Sequence, residues 1–285
     1  MKTNLIYQTA LGSIILLSIQ WMIGVLTGSA FGIEKAPWLF FSDVLVVLLL
    51  AMIARNNRYE SEKLIAIIFS IFFAIGSFNI LVEAFIFNVT DRSETIRQIG
   101  VNAIEMALFS FVFVKYIIKK SGTHQAGFNK RKLMGWIWRI VTGNFMYLVF
   151  YLLAGAVLYL SYPKLNEFYG DKIPPMDLII KTQLFLRGFV FIAVAILIDR
   201  TVNLPKYKKA ILVGLVFSII GGIAPLIVPN DAMPQFVRIA HGFEVGISNF
   251  IYGFIMSILF YQSFLRTDHI EDQNYPKEIG LNEVL

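Results

Sequence analysis

The chain has 285 residues, of which 57% are hydrophobic and only 15% are charged, and it contains no cysteine. Soluble domains are about 45–50% apolar and about 25% charged, so this composition indicates an integral membrane protein. The missing thiols exclude disulfide bonds, thiolate metal sites and cysteine nucleophiles. The net charge of +6 does not indicate nucleic-acid binding, because the basic residues lie in short segments between apolar stretches.

Apolar segments long enough to cross about 30 Å of hydrocarbon recur along the whole chain. The first is longer than the apolar region of a signal peptide, so we expect an uncleaved anchor. The sequence therefore predicts an all-α, polytopic integral membrane protein whose chain crosses the bilayer eight times. The predicted spans are 5–29, 37–54, 64–88, 99–118, 134–162, 177–198, 210–228 and 236–264.

Positive charges alternate between the connecting segments. Segments 55–63, 119–132 and 200–209 carry three, five and four Lys or Arg residues, whereas the segments between them carry two or fewer. Because short cytoplasmic loops are enriched in Lys and Arg, we expect both termini in the cytoplasm. The expected location is the plasma (inner) membrane.

Two pairs of segments share a pattern that indicates an internal repeat. Residues 51–70 resemble 196–218, and residues 102–117 resemble 241–256. In the second pair, Glu105 and Glu244 fall at matching positions. The predicted organisation is a first transmembrane bundle (1–120), a basic cytoplasmic loop (121–133), a second bundle (134–265) and a polar, disordered cytoplasmic tail (266–285). Two halves of four spans each would be related by a pseudo-two-fold axis along the membrane normal.

Ionisable side chains in the spans are the candidates for function, because a charge at mid-bilayer costs about 2.5–3.5 kcal/mol on insertion scales. The assigned topology puts eight of them in the outer half of the bilayer, where they could line a single polar cavity or form structural pairs. Lys181 is expected only to reach the interface with its long stem. The candidates for proton coupling or acid–base chemistry are Glu83, Glu105, His241 and Glu244. The candidates for substrate binding are Asp43, Arg187, Arg238 and Asn249.

Small residues in the last two spans predict a close helix contact. Gly242, Gly246 and Gly253 form a stripe on span 8, and Gly214, Ser218 and Gly222 recur at every fourth position of span 7. Such stripes let helix backbones approach each other. We therefore expect spans 7 and 8 to pack together.

The candidate residues favour some chemistries over others. A metal site is disfavoured because the spans hold one histidine and no HExxH motif, and no serine lies within reach of His241 along its helix. No cofactor is expected. The leading prediction is a secondary transporter of a small anionic or amphipathic solute, with proton coupling left open. The alternatives are an intramembrane enzyme acting on a lipid-linked phosphate or peptide at the outer leaflet, and a non-catalytic sensor or assembly component.

The expected partners follow from these functions. They are the lipid bilayer and a small solute or lipid substrate, with no nucleic acid, and the oligomeric state is left open.

Overall fold

The computed structural model describes residues 4–88, 90–119, 131–170, 173–230 and 233–262, and no strand occurs in these ranges. Eight helices are long and apolar enough to cross a membrane, which confirms the predicted all-α, multi-pass architecture. They are α1 (Leu5–Thr27), α2 (Ile33–Asn56), α3 (Glu62–Ile86), α4 (Arg92–Ile118), α5 (Leu133–Ser161), α6 (Met176–Thr201), α7 (Lys206–Ile227) and α8 (Gln235–Phe260). A short helix, Pro163–Tyr169, connects α5 to α6.

Helix α4 begins seven residues before the predicted start of its span. Asp91 caps it by accepting hydrogen bonds from the backbone N–H groups of Ser93 and Glu94. A hydrogen bond from the Ser93 hydroxyl, together with these backbone bonds, holds the pKa of Asp91 below its usual range. Glu94 then pairs with Arg97 one turn later, at 2.7 Å. Capping and an ion pair thus form a polar first turn that hydropathy alone assigns to a loop.

Contacts between helix ends define two sides of the bundle. On one side Arg55, at the end of α2, donates to Gln8 near the start of α1, and Arg131 donates to the carbonyl of Tyr261 after α8. On the other side Arg97, near the start of α4, donates to the carbonyl of Thr27 at the end of α1. We call these the terminal side and the distal side.

The same helix contacts occur in both halves of the chain. In the first half α1 packs against α2 and α4, and α3 packs against α4; in the second half α5 packs against α6 and α8, and α7 packs against α8. The most extensive contacts between the halves are those of α3 with α7, α2 with α7, and α3 with α6. Helices α3 and α7 therefore lie at the centre of the bundle.

The predicted contact between spans 7 and 8 is confirmed. A Cβ atom added to Gly253 would come within 2.9 Å of the Val213 carbonyl oxygen and 3.0 Å of the Gly214 Cα atom. A Cβ atom on Gly246 would approach Ile223 to 3.0 Å. Only glycine permits this backbone approach, so the glycine stripe of α8 lies directly on α7.

In the described part of the chain, four helices contain π-helical turns, in which the backbone hydrogen bond spans five residues instead of four. They occupy Ala74–Phe78, Phe113–Ile118, Gln183–Arg187 and Val216–Ile223. The π turns of α3 and α7 contact each other. Such turns are rare and mark irregular points in otherwise stiff helices.

Large apolar side chains cover the outside of the bundle. Leu26 is 78% exposed, Phe185 69% and Leu160 80%. A soluble protein rarely leaves such side chains in water over a wide area, which agrees with a lipid-facing surface. The predicted basic loop (121–133) lies mostly, and the predicted tail (266–285) entirely, outside the described residues.

Candidate functional site

A cavity of about 470 Å³ lies within the first half of the bundle and reaches the distal surface. Helices α1, α2 and α4 form most of its walls, and α3 contributes Phe72 and Gly76. Helix α7 closes it at Ile220 and Ala224, with Val228 directly after the helix end. Two of the predicted site residues, Asp43 and Glu105, line it together with Gln20. We call this the Asp43 cavity.

The two carboxyl groups of the Asp43 cavity share one neutral neighbour. The Gln20 amide nitrogen donates to Asp43 Oδ1 at 3.3 Å, and the same amide interacts with Glu105. Asp43 is 3% exposed, and its Oδ2 atom is buried with no hydrogen-bond partner among the described residues. Two acidic groups therefore face one cavity without a cation between them.

The Asp43 cavity has charged residues at its distal mouth and apolar residues beyond its inner end. At the distal mouth, Arg97 is held by Glu94 through two hydrogen bonds of 2.7 and 2.8 Å. Toward the terminal side, the interior of the first half is filled by apolar side chains that are fully buried, among them Leu50, Phe109 and Phe113. The cavity is thus open at the distal side and closed toward the terminal side.

A second polar cluster lies between α3, α5 and α6. Arg187 Nη1 is 2.6 Å from Glu83 Oε2, while Tyr151 and Gln183 donate to Glu83 Oε1 at 2.9 and 3.2 Å. The π turn of α6 holds both Gln183 and Arg187, and Arg187 also donates to the Gln183 side chain at 3.3 Å. We call this the Glu83–Arg187 cluster.

Helix α8 adds a His–Glu pair to this cluster. His241 Nδ1 lies 2.7 Å from Glu244 Oε2, and the histidine side chain is 31% exposed. Arg187 interacts electrostatically with Glu83 and Glu244, and His241 interacts with Glu83 and Arg187. The cluster thus contains two acidic and two basic groups, which neutralise each other when His241 is protonated.

Two predicted substrate-binding residues bind the protein's own backbone. Arg238 donates to the carbonyls of Leu226 and Ile227, at the end of α7. Asn249 donates to the Phe217 carbonyl, in the π turn of α7. Arg238 thus satisfies carbonyls of the last turn of α7, which the helix itself leaves unpaired. Lys181, expected to reach the interface, is exposed and pairs with Asp177 at 2.9 Å.

The eight predicted site residues therefore do not meet in one place. Asp43 and Glu105 line the cavity, four others form the cluster with its His–Glu pair, and Arg238 and Asn249 cap backbone groups. The sequence analysis missed Gln20, Gln183 and Tyr151, because it considered ionisable side chains and passed over neutral polar ones. Glutamines in otherwise apolar spans are the signal that would have found two of them.

A buried ionic contact at the terminal side was also missed. Lys209 is completely buried; it donates to the Asp199 carbonyl at 2.9 Å and lies 3.4 Å from Asp199 Oδ1. Both residues lie outside the predicted spans, of which one ends at residue 198 and the next begins at residue 210, and Lys209 was counted as a loop residue. The helices extend to include them.

In the part of the chain that the structure describes, no three potential ligands come together at a geometry that could hold a metal ion. No protein-family model, curated protein or solved structure matches the chain significantly.

Proposed function

We propose that this multi-pass membrane protein is a proton-coupled secondary transporter whose solute enters the Asp43 cavity from the distal side. The observation that carries the proposal is the cavity itself. It has a volume in the range of small-molecule sites, it reaches the distal surface, and it contains two carboxyl groups without a paired cation. Asp43 lies ten residues after Ile33, which corresponds to about 15 Å along the helix.

A pseudo-two-fold relation between the halves supports this function. With an offset of 145 residues, Asn56 corresponds to Thr201 and Arg58 to Asn203. The Arg58 N–H donates to the Thr201 carbonyl, and the Asn203 N–H donates to the Asn56 carbonyl. The two bonds flank an antiparallel bridge between Asn57 and Val202. Such a bridge has a local two-fold axis of its own, and the offset of 145 matches the residues across that axis.

The same offset holds at the crossing of α3 and α7. Gly76 corresponds to Gly221 and Ile75 to Ile220. Gly76 packs against Ile220, and Gly221 packs against Ile75. The π turns of both helices lie at this crossing. Two related halves that meet at irregular helical turns suit rocking about a central axis, as in transporters built from parallel repeats.

The contacts of the two arginines argue against an anionic solute, which was one of the two solute classes predicted from the sequence. An anionic solute would need a free cationic group, but Arg187 is bound to Glu83 and Arg238 is bound to backbone carbonyls. The polar groups of the Asp43 cavity are acidic. The proposal therefore keeps transport and proton coupling and drops the anionic solute.

Flux in proteoliposomes tests the proposal. With an imposed pH gradient, we expect uptake by the purified protein of at least one compound from a panel of small amines, acids and zwitterions. Asp43→Asn should reduce that uptake at least tenfold, because an amide cannot exchange a proton at neutral pH. Asp177→Asn removes an exposed acid from the same side of the bundle and serves as the control.

The result that would overturn transport is equally specific. Uptake that is independent of the pH gradient, or equal in wild type and Asp43→Asn, contradicts a proton-coupled site at Asp43. Absence of uptake across the whole panel, by protein whose folding is verified by its unfolding temperature, contradicts the transporter proposal.

One observation favours a second function. His241 is partly exposed and is held by Glu244, an arrangement that suits a general acid or base, and Arg187 lies within electrostatic range. This supports an intramembrane enzyme acting on a lipid at the distal leaflet. Turnover of a lipid in detergent that is lost in His241→Gln, with no gradient present, would favour the enzyme over the transporter.

A further inference from the structure

The Asp43 cavity and the Glu83–Arg187 cluster occupy corresponding places in the two halves. Walls of the cavity come from α1, α2 and α4, with α7 closing it; the cluster comes from α5, α6 and α8, with Glu83 added from α3. Exchanging the two halves replaces α1, α2, α4 and α7 by α5, α6, α8 and α3. The same exchange relates the two hydrogen bonds between the halves, Arg58 to Thr201 and Asn203 to Asn56. The two sites can therefore be compared at matched positions, with an offset of 145 between α2 and α6 and an offset of 139 between α4 and α8.

The comparison shows which group the cavity lacks. At the offset of 145, Arg187 corresponds to Ser42, and Ser42 lines the Asp43 cavity. In the second half, a guanidinium group lies beside Glu83 and interacts with Glu244. In the first half, Glu105 matches Glu244, and Asp43 supplies a second carboxyl group from the residue next to Ser42. The side chain that corresponds to Arg187 is a small hydroxyl, which donates to the Ala224 carbonyl.

The charges that line the cavity independently indicate that a cationic group is missing. The lining of the cavity contains four ionisable residues, and Arg97 is already bound to Glu94 at the mouth. Asp43 and Glu105 are left without a cation, and Asp43 Oδ2 has no hydrogen-bond partner among the described residues. Carboxylates in a low-dielectric interior need protons or a cationic partner.

The walls of the cavity determine the rest of the ligand. Phe31, Leu39, Val46 and Phe72 give it an apolar lining, and a bare inorganic ion would leave most of its volume unfilled. Aromatic faces attract cations as well as apolar groups. A ligand with one charged, hydrogen-donating end and an apolar body satisfies both parts of the site.

We infer that the Asp43 cavity binds an amphipathic organic cation, of the protonated-amine or guanidinium class, through Asp43 and Glu105. The cation takes the place that Arg187 fills in the second half, and it displaces protons from the two carboxyl groups. Only one consequence of this inference, the exchange of an amine for protons across the membrane, rests on the proposed transport function. Binding itself is expected whether or not the protein transports.

Binding of two probes with the same body and opposite charge tests the inference. Titration calorimetry on the full chain in lipid nanodiscs compares naphthylethylamine with naphthylacetate. We expect the amine to bind with release of protons and the acid not to bind. Asp43→Asn should weaken amine binding by about tenfold or more, as expected for the loss of a charge-assisted hydrogen bond. Glu34→Gln, at an exposed acid near the distal start of α2 but outside the cavity, should leave it unchanged.

A measurement on the unaltered protein removes any ambiguity from misfolded variants. Dicyclohexylcarbodiimide modifies protonated carboxyl groups in apolar surroundings, and mass spectrometry locates the product. We expect modification at Asp43 or Glu105, and we expect naphthylethylamine, but not naphthylacetate, to protect the site.

Three outcomes would each overturn the cation site: equal binding of both probes, amine binding that Asp43→Asn does not affect, or carbodiimide modification that the amine does not reduce. These outcomes are separable from failure of the transport proposal. Amine binding without any gradient-driven flux leaves the cation site standing and removes transport. Flux of a different solute without amine binding does the reverse.

Discussion

We expect Glu83→Gln to lower the free energy of unfolding by about 3–5 kcal/mol, the cost of leaving one partner of a buried ion pair uncompensated. Arg187 is 7% exposed, and Glu83 accepts from it at 2.6 Å. Loss of the carboxylate leaves the guanidinium group in a low-dielectric interior, where it keeps its hydrogen bond to the Gln183 side chain and its electrostatic interaction with Glu244 but has lost its directly bound anion. Thermal and denaturant unfolding, followed by the fluorescence of the four tryptophans, measures the effect.

The double variant Glu83→Gln/Arg187→Met supplies the control for this pair. Removing both charges should restore much of the lost stability, because an apolar side chain of similar length costs little to bury. Asp177→Asn, which breaks an exposed ion pair with Lys181, should change stability by less than about 1 kcal/mol. If the effects of the Glu83 and Arg187 substitutions simply add in the double variant, the two side chains do not stabilise each other.

The second large effect is expected at the terminal side. Lys209→Met should destabilise the fold by about 3 kcal/mol, because it leaves the buried Asp199 carboxylate without its closest cation. Lys209 is fully buried and Asp199 is 1% exposed. Beside this pair, Arg58 interacts electrostatically with Asp199, and the backbone of Arg58 forms one of the central hydrogen bonds between the halves. The lysine therefore stabilises the place where the halves meet.

A neighbouring lysine provides a matched control for this substitution. Lys208 precedes Lys209 in the chain but is exposed, so Lys208→Met should leave the unfolding temperature nearly unchanged. Lys209→Met/Asp199→Asn should be more stable than Lys209→Met alone. Equal stability of the Lys208 and Lys209 variants would mean that the buried pair contributes nothing.

The sequence predicts the number of helices and most of their ends because the cost of crossing a bilayer is local. Each span must supply its own apolar residues and its own backbone hydrogen bonds, so a window of about 20 residues carries the information. The start of α4 is the exception, since a cap at Asp91 and the Glu94–Arg97 pair replace hydropathy as the determinant. The contact between α7 and α8 was also predictable, because glycine spacing records it directly.

The grouping of the polar residues could not be predicted in the same way. Hydropathy and loop charges give the depth of a residue along the membrane normal, but they give no position around the bundle. Asp43 and Glu83 have similar depths in the predicted topology, yet one faces α1 and α4 and the other faces α5 and α6. The partners of Glu83 lie 68 and 100 residues away in the chain, and only the packing of the helices brings them together.

The natural absence of cysteine makes the central claim, alternating access to the Asp43 cavity, directly measurable. Asn102 lines that cavity, and Tyr207, 65% exposed at the terminal start of α7, is the control position. A membrane-impermeant maleimide is applied to right-side-out and to inside-out vesicles that contain Asn102→Cys or Tyr207→Cys. We expect Asn102→Cys to react from both sides, with the balance shifted by a pH gradient, and Tyr207→Cys to react from one side only. Reaction of Asn102→Cys from the distal side alone, with and without the gradient, would contradict a transporter.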